Sequence, residues 1–467
     1  MNKRILVSLF LFCSVALAQL PQTRPNIIFI MTDDLGYGDL GSYGQKVIET
    51  PALDRMAGQG MRFTQAYAGS PVCAPSRSVL MTGQHTGNTR VRGNFSAIRV
   101  PELPKWRRIP LHDEDVTVAE VLQEAGYVTG MFGKWGLGEA TTTGEPNRQG
   151  FDEWMGFLNQ RRAHSHYPDY LWHNTEKLEL PGNADGQRTQ HTQPLFTDYA
   201  LDFIDRHREE NFFLYLPYCL PHSEFTATEP FYELYADRED WTEQEKHFAA
   251  MIRMIDADVG RLLAHLRASG LAENTLVFFC SDNGAANRYE GRFDSSGELR
   301  GRKRELYEGG IRTPMLVWMP ESVPAGTVND TPWYFPDVLP TLAALAQTDP
   351  PEGIDGINIA PTLFGKTLPD SDRFMYWEFH AKGYDQDGEF YEKPVDQAAR
   401  WKDWKGIRRG VDGPLELYDL SKDPSEKHDL SHRHADVVET IESYLDQARS
   451  PSIYWPVEQA SAPASSE

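Results

Sequence analysis

The feature that most constrains the fold is a set of short apolar runs that lack the alternation of a half-buried strand. Residues 26–32 read Asn-Ile-Ile-Phe-Ile-Met-Thr, and residues 127–132, 211–218 and 274–279 are of the same character. Such runs suit strands covered on both faces, the environment of a largely parallel sheet with helices on either side. The runs end in polar residues: Asp33-Asp34, Gly133-Lys134, Leu220-Pro221-His222 and Ser281-Asp282-Asn283. In an open α/β sheet ligands bind beyond the carboxyl ends of the strands, so Asp33, Asp34, Asp282 and Asn283 are expected at one functional edge.

Helical patterns lie between the runs. Leu53, Met56 and Ala57 follow Thr50-Pro51; Val118, Val121, Leu122 and Ala125 precede Gly126; residues 198–207 form another helix. Thr242 and Glu245 make a capping box for a long helix carrying Phe248, Met251, Ile255, Val259, Leu262 and Leu266, which Gly270 ends. Residues 336–346 complete this part, and the Pro-, Gly- and Asp-rich segment 347–356 reads as a linker. Beyond it, strands over 374–380 and 415–420 and an amphipathic helix over 435–449 predict a smaller α+β unit. The expected organisation is a larger N-terminal catalytic unit over 19–350, a C-terminal unit over 351–459 and a disordered tail over 460–467.

Residues 1–18 carry the marks of a signal peptide: Lys3-Arg4, an apolar stretch over 5–15 and the small-residue site Ala16-Leu17-Ala18. The stretch is too short to anchor the chain, so a periplasmic or secreted protein free of the membrane after cleavage is expected. Of four cysteines, Cys13 lies in this leader; the odd set Cys73, Cys219 and Cys280 argues against a disulfide framework. A formal net charge of −22 excludes non-specific binding to nucleic acid or to an acidic membrane. An anionic substrate would therefore need a local basic pocket, for which Arg107-Arg108, Arg161-Arg162 and residues 300–304 are candidates.

Cys73 precedes a short helix, with Pro75 suited to its first turn and Gly83 to its end. Taken alone, the cysteine is either a small core residue or a group at a helix mouth, where an anion would meet backbone N–H groups and the planar fork of Arg77.

The stretch Cys73-Ala74-Pro75-Ser76-Arg77, followed by Leu80-Met81-Thr82-Gly83, resembles the signature of the sulfatase family, and further motifs follow in that family's order from about Pro25 to about Leu430. The resemblance implies an alkaline-phosphatase-like α/β fold, with a mixed central sheet flanked by helices and a small C-terminal antiparallel lobe. It implies that a formylglycine-generating, sulfatase-maturating enzyme oxidises Cys73 to Cα-formylglycine. It further implies a divalent cation, Ca²⁺ with Mg²⁺ as the alternative, held by Asp33, Asp34, Asp282, Asn283 and residue 73. Hard oxygen donors independently suit these ions better than Zn²⁺.

A thiol is a poor nucleophile for this reaction, because sulfate bound to sulfur has no easy way to leave. The hydrate of the aldehyde offers one hydroxyl to attack sulfur and a second to expel sulfate. By the same resemblance, Arg77, Lys134 and Lys303 neutralise charge on the sulfate oxygens, and His222 or Lys303 protonates the leaving alcohol. One departure stands out: Gly136 occupies the place of the family's usual histidine, so the base for the second step is open.

Residues 160–173 are dense in aromatic and hydrogen-bonding side chains and read as a substrate loop, with Gln160, Arg161, His164 and His166 as sugar-binding candidates. His164 or His166 is a candidate for the missing base. The expected function is an exported sulfatase acting on a carbohydrate, a galactose-type unit of a sulfated polysaccharide. The rivals are a phosphate or phosphonate monoester hydrolase of the same superfamily, an arylsulfatase of small aryl sulfates, and a sulfated-glycan binding protein in which Cys73 is never converted.

Overall fold

The computed structural model describes residues 23–96, 108–286, 291–368, 372–381, 383–384, 390–391 and 394–457. The leader over 1–18 and the tail over 460–467 lie outside the described residues.

The first apolar run forms β1 (Asn26–Thr32), every residue of which is buried. Ile27, Phe29 and Met31 join one core, while Ile28 and Ile30 join another on the opposite face. This is why the run shows no polar alternation: successive side chains point to opposite faces and both faces are covered. Full burial of one such side chain stabilises the fold by about 1.5–3 kcal/mol.

The other strands of this sheet are β2 (Met61–Phe63), β3 (Val128–Lys134), β4 (Glu153–Phe157), β5 (Tyr170–His173), β6 (Glu176–Glu179), β7 (Phe212–Pro217), β8 (Thr275–Ser281), β9 (Met315–Trp318) and β10 (Thr327–Asn329). They form one mixed ten-stranded sheet in the order β10-β2-β9-β8-β1-β7-β3-β4-β5-β6. The central five, β8-β1-β7-β3-β4, are parallel; β9 runs antiparallel to β8, and β5 and β6 form an antiparallel edge.

Helices α1 (Pro51–Gln59), α4 (Thr192–Arg206) and α5 (Glu243–Ala268) cover one face; α2 (Cys73–Thr82), α3 (Val118–Glu124) and α6 (Val338–Leu345) cover the other. The expected capping box of α5 is present, with the Thr242 hydroxyl accepting from the Glu245 N–H and the Glu245 carboxylate accepting in return. Among the described residues no helix is long and apolar enough to cross a membrane.

The C-terminal part contains an antiparallel sheet of β11 (Phe374–Phe379), β12 (Asp396–Trp401), β13 (Trp404–Arg409) and β14 (Leu415–Asp419). One face packs on Val437, Ile441 and Leu445 of α7 (Ala435–Gln447). The other packs against Tyr67, Val72, Leu306 and Ile311 of the larger part. The fully buried Lys405 joins the two parts, with Nζ 2.9 Å from Glu308 Oε1 and 2.8 Å from Glu426 Oε1.

Three expectations are corrected. Residues 160–173 are not a plain loop: a single-turn 3₁₀ segment (Arg162–His164) leads into β5, the strand next to the edge strand β6, whose half-exposed Tyr170, Trp172 and His173 disguise it. The stretch 301–314, whose glycine- and charge-rich sequence reads as a loop, contains a short helix, Glu308–Ile311, with all four residues buried. Segment 347–356 is docked rather than free, because the N–H groups of Asp355 and Gly356 both donate to the Gly83 carbonyl, at 2.9 and 3.2 Å.

Candidate active site

The parallel strands β1 and β8 run in register, pairing Thr32 with Ser281, so the chain leaves both at the same level of the sheet. Asp33 and Asp34 therefore face Asp282 and Asn283, as the apolar runs predicted. The Asp34 N–H donates to Asp282 Oδ1 at 3.3 Å, and Asn283 Nδ2 donates to Asp34 Oδ1 at 2.9 Å. Asp34 has a φ of 70°, a left-handed conformation that an aspartate in a turn tolerates.

Helix α2 delivers Cys73 to this edge as its first residue, and Gly83 closes the helix in the left-handed region, donating to the Val79 carbonyl at 3.0 Å. One amide of its first turn is already occupied, since Ala74 N–H donates to Asn94 Oδ1 at 3.0 Å. Arg77, one turn on, is buried and binds Asp282 Oδ2 through Nη2 at 2.7 Å and the Lys134 carbonyl through Nη1 at 2.7 Å. Lys134 ends β3 and places Nζ 2.5 Å from Asp33 Oδ2. Lys303 places Nζ 2.5 Å from Asp34 Oδ1 and 3.5 Å from Cys73 Sγ.

His222 follows β7 and holds Nε2 3.5 Å from Asp34 Oδ2. Its Nδ1–H donates to the Ser223 carbonyl at 2.7 Å, which leaves Nε2 as the nitrogen facing the site.

Donor atoms from Asp33, Asp34, Cys73 and Asp282 all lie within 4.8 Å of one another. Asn283 Oδ1 is buried and accepts no hydrogen bond, although the amide is oriented by its two Nδ2 contacts. A buried amide oxygen left unpaired beside three carboxylates is the signature of a position meant for a cation, and the donor set is of the hard type that Ca²⁺ or Mg²⁺ prefers. The residues fit such an ion. Three carboxylates face three cationic side chains here, so a divalent ion would turn a balanced cluster into a positive one that attracts an anion.

The charges have consequences for titration. Burial alone would raise the Asp33 carboxyl, but Lys134, His222, Arg77 and Lys303 together hold it well below the usual carboxylate range. Burial pushes the Cys73 thiol up to about 11, against the pull of Lys134 and Lys303. Burial also lowers His222, with Asp34 and Asp33 opposing.

The cluster opens into a cavity of about 990 Å³. Its wall comes from separate parts of the chain, including Asn94, Phe95, His164, Phe225, Arg302, Arg304 and the C-terminal residues Phe379, His380 and Ala381. Of the four sugar-binding candidates, His164 lines this cavity and stacks on His222, with ring centroids 4.4 Å apart. His166 does not: it is 0% exposed and lies behind the site, its Nε2–H donating to the His222 carbonyl at 3.1 Å.

Gln160 is also buried. Gly136 has a φ of +86°, and a Cβ there would lie 2.7 Å from Gln160 Cγ and Nε2. The Gln160 carboxamide thus fills the space that a side chain at position 136 would need, and its Nε2 has no partner. Arg161 is exposed, and Arg162 is turned to Asp169 at 2.6 Å. Cys219 and Cys280 are free, buried core residues as expected. Nothing in the sequence marks Asn94, Phe95 or residues 379–381 as part of a site, because their types are ordinary and their position depends on tertiary packing alone.

Comparison with known proteins shows the family. The sequence model of the sulfatase family matches residues 25–348, and that of the N-sulphoglucosamine sulphohydrolase C-terminal region matches residues 300–451. The chain is 32% identical over 458 residues to N-acetylgalactosamine-6-sulfatase of Homo sapiens, covering 89% of this chain and 83% of that one. It is 33% identical over 448 residues to arylsulfatase A of Homo sapiens, covering 87% and 83%. The crystal structure of Ps i-CgsB in complex with k-i-k-neocarrahexaose superposes with a TM-score of 0.78 at 30% identity, covering 94% of this chain and 96% of that one. A phosphonate monoester hydrolase of Agrobacterium radiobacter shares the fold, with a TM-score of 0.65 at 20% identity over 91% and 95% of the two chains.

Proposed function

The chain belongs to the sulfatase family and is a sulfuric ester hydrolase, and from that premise we propose that it releases sulfate from a carbohydrate, a galactose-type unit of a sulfated polysaccharide or its oligosaccharides. The observation that carries this reading is the convergence of Asp33, Asp34, Asp282, Asn283 and Cys73 with Arg77, Lys134, Lys303 and His222 in one buried cluster, of which Asp34, Lys303 and His222 line the cavity. The cavity is large enough for a sugar, and the exposed Arg302 and Arg304 at its wall give local positive charge to a chain of net charge −22. Relatives named for N-acetylgalactosamine-6-sulfate and a structural neighbour holding a neocarrahexaose support the galactose-type substrate.

In this reading Cys73 is converted to Cα-formylglycine and Asp33, Asp34, Asp282 and Asn283 hold a Ca²⁺ or Mg²⁺ ion. When present, these two groups supply an oxygen nucleophile and the positive charge that activates it. The chain's own residues do the rest. Arg77 fixes Asp282 and, through its bond to the Lys134 carbonyl, the end of β3. Lys134 and Lys303 stabilise charge on the sulfate oxygens, and their placement against Asp33 and Asp34 keeps them protonated. His222, when its ring carries a second proton at Nε2 beside Asp34, delivers that proton to the leaving alcohol oxygen, with the Lys303 ammonium as the alternative donor. His164 holds the His222 ring by stacking. The leader over 1–18 directs the chain to the periplasm or outside the cell, and residues 19–350 and 351–459 form its two units.

Mass analysis of the peptide containing Cys73, together with sulfate release from defined mono-sulfated sugars, tests the proposal. The expected result is an aldehyde at residue 73 and turnover of galactose-type sulfates. Turnover of aryl sulfates alone would overturn the carbohydrate assignment, and an active protein with an intact thiol would overturn the nucleophile.

A further inference from the structure

His222 is gripped at three points by the segment that precedes β5. The His164 ring stacks on the His222 ring, with centroids 4.4 Å apart and planes 27° apart. The His164 carbonyl accepts from the Glu224 N–H at 2.6 Å. His166 Nε2–H donates to the His222 carbonyl at 3.1 Å. One short stretch of chain thus holds both the ring and the backbone of the residue that faces the reacting centre.

The gripping residues are themselves fixed. His166 is buried, its carbonyl accepts from the Thr192 N–H at 3.0 Å, and its ring stacks on His191 with centroids 5.4 Å apart. Burial lowers its pKa to about 4, which keeps the ring neutral and commits its single N–H to His222. Ala163 is buried in the core on one face of the sheet, and β5 follows at Tyr170. The segment therefore lends the rigidity of the sheet to a side chain that stands beyond the end of β7.

A sugar hydroxyl is a poor leaving group. As the S–O bond to the sugar breaks, its electron pair goes to the alcohol oxygen, and the Nε2 proton must follow to spare an alkoxide; the imidazolium becomes neutral. A nitrophenolate leaves without that help. A well-placed proton donor contributes about 10²–10⁴ in rate, and a misplacement of about 1 Å forfeits on the order of 10².

We propose that His164 and His166 are positioning residues that keep His222 Nε2 directed at the leaving oxygen, and that this clamp fits the enzyme to unactivated alkyl sulfates, the class to which sugar sulfates belong. The proposal rests on the sulfatase reading above and deepens it, because two of the sugar-binding candidates become supports of the proton donor.

The test measures kcat and KM, at equal aldehyde content of residue 73, on a mono-sulfated galactoside and on aryl sulfates graded from para-nitrophenyl to unsubstituted phenyl sulfate. His164→Ala and His166→Phe should each lower kcat on the galactoside by about 10- to 100-fold with KM within about threefold, and the loss on para-nitrophenyl sulfate should be about tenfold smaller. Across the aryl series the dependence on leaving-group pKa should steepen. His164→Phe keeps a stacked ring and His166→Gln keeps an N–H donor, so both should recover to within about threefold of the native enzyme. Should His166→Phe not fold, the pair His164→Ala and His164→Phe gives the same answer. Equal losses on activated and unactivated esters would mean a merely structural role and overturn the proposal; unchanged kcat on the galactoside would overturn it in favour of Lys303 as the donor. The aryl series tests the clamp whichever sugar is the substrate, whereas failure of the native enzyme to turn over the galactoside bears on the carbohydrate reading alone.

Discussion

Lys303 Nζ stands 3.5 Å from Cys73 Sγ, bringing the loop after β8 against the first residue of α2. The ammonium is also held by Asp34 Oδ1 at 2.5 Å, and in the proposed reaction it stabilises the charge that develops there. Lys303→Ala is expected to lower kcat for sulfate release by about 10²–10³, the usual cost of losing one such group. The aldehyde content of residue 73, read by peptide mass, should not change. A loss below about threefold would remove Lys303 from the reacting centre.

The unpaired Asn283 Oδ1 makes cation binding measurable without activity. Protein stripped with a chelator should melt at a higher temperature once Ca²⁺ is restored, by an amount equivalent to about 2.7 kcal/mol at a hundredfold excess over Kd. Asn283→Ala should weaken the ion by about tenfold or more, seen as a rightward shift of the melting-temperature titration. Superimposable titrations of the two proteins would show that this oxygen is not a ligand.

His191 predicts a loss of stability in mild acid. It caps α4 by accepting from the Gln193 N–H at Nδ1, at 3.1 Å, while Nε2–H donates to the Thr226 carbonyl at 3.1 Å. The Nδ1 contact requires the neutral ring, whereas the Nε2–H contact survives protonation, and burial lowers the His191 pKa from 6.5 to about 3. The unfolded chain therefore binds the proton more readily between these values. The stabilising contribution is complete above 6.5 and is lost as pH falls towards 3, amounting to a few kcal/mol, on the order of 3, by about pH 4. His191→Asn keeps a capping oxygen and removes the titration, so its melting temperature should fall less steeply between about pH 7 and pH 4 than that of the native protein. Parallel curves would reject this account.

Lys405 sits between Glu308 and Glu426 where the C-terminal sheet meets the larger part of the chain. Removing its charge strands two buried carboxylates together. Lys405→Met is expected to destabilise the protein by about 3–5 kcal/mol in denaturant unfolding. Adding Glu426→Gln should recover part of that loss, because Glu426 is the carboxyl whose pKa burial already pushes up to about 7. A loss under about 1 kcal/mol for the single variant would mean that the ion pairs hold no weight at this junction.

What could be read from the sequence was whatever a single stretch of chain determines. β1, β7 and β8 were visible because both of their faces are buried, and Asp33, Asp34, Asp282 and Asn283 followed as the residues leaving parallel strands. The box of Thr242 and Glu245 was visible because a cap is local. β5 and β6 were not, because Glu176, Lys177 and Glu179 are exposed on an edge and carry no apolar run. Gly136 was legible as a departure but not as a cause: only the structure shows Gln160 filling that volume. Phe379 and His380 could not be assigned to the site, since nothing within β11 distinguishes a strand that ends in a cavity wall.

The floor of the cavity is anchored in the ends of buried parallel strands, whereas its wall is assembled from four or more unconnected segments between Asn94 and Ala381. The chemistry and the choice of sugar are thus under separate structural control. Exchanges at Phe95, Phe225, Arg302 or Phe379 are free to retarget the enzyme to another glycan while the sheet edge that cleaves the ester stays as it is. Such an architecture lets one scaffold diversify its diet without having to reinvent its reaction.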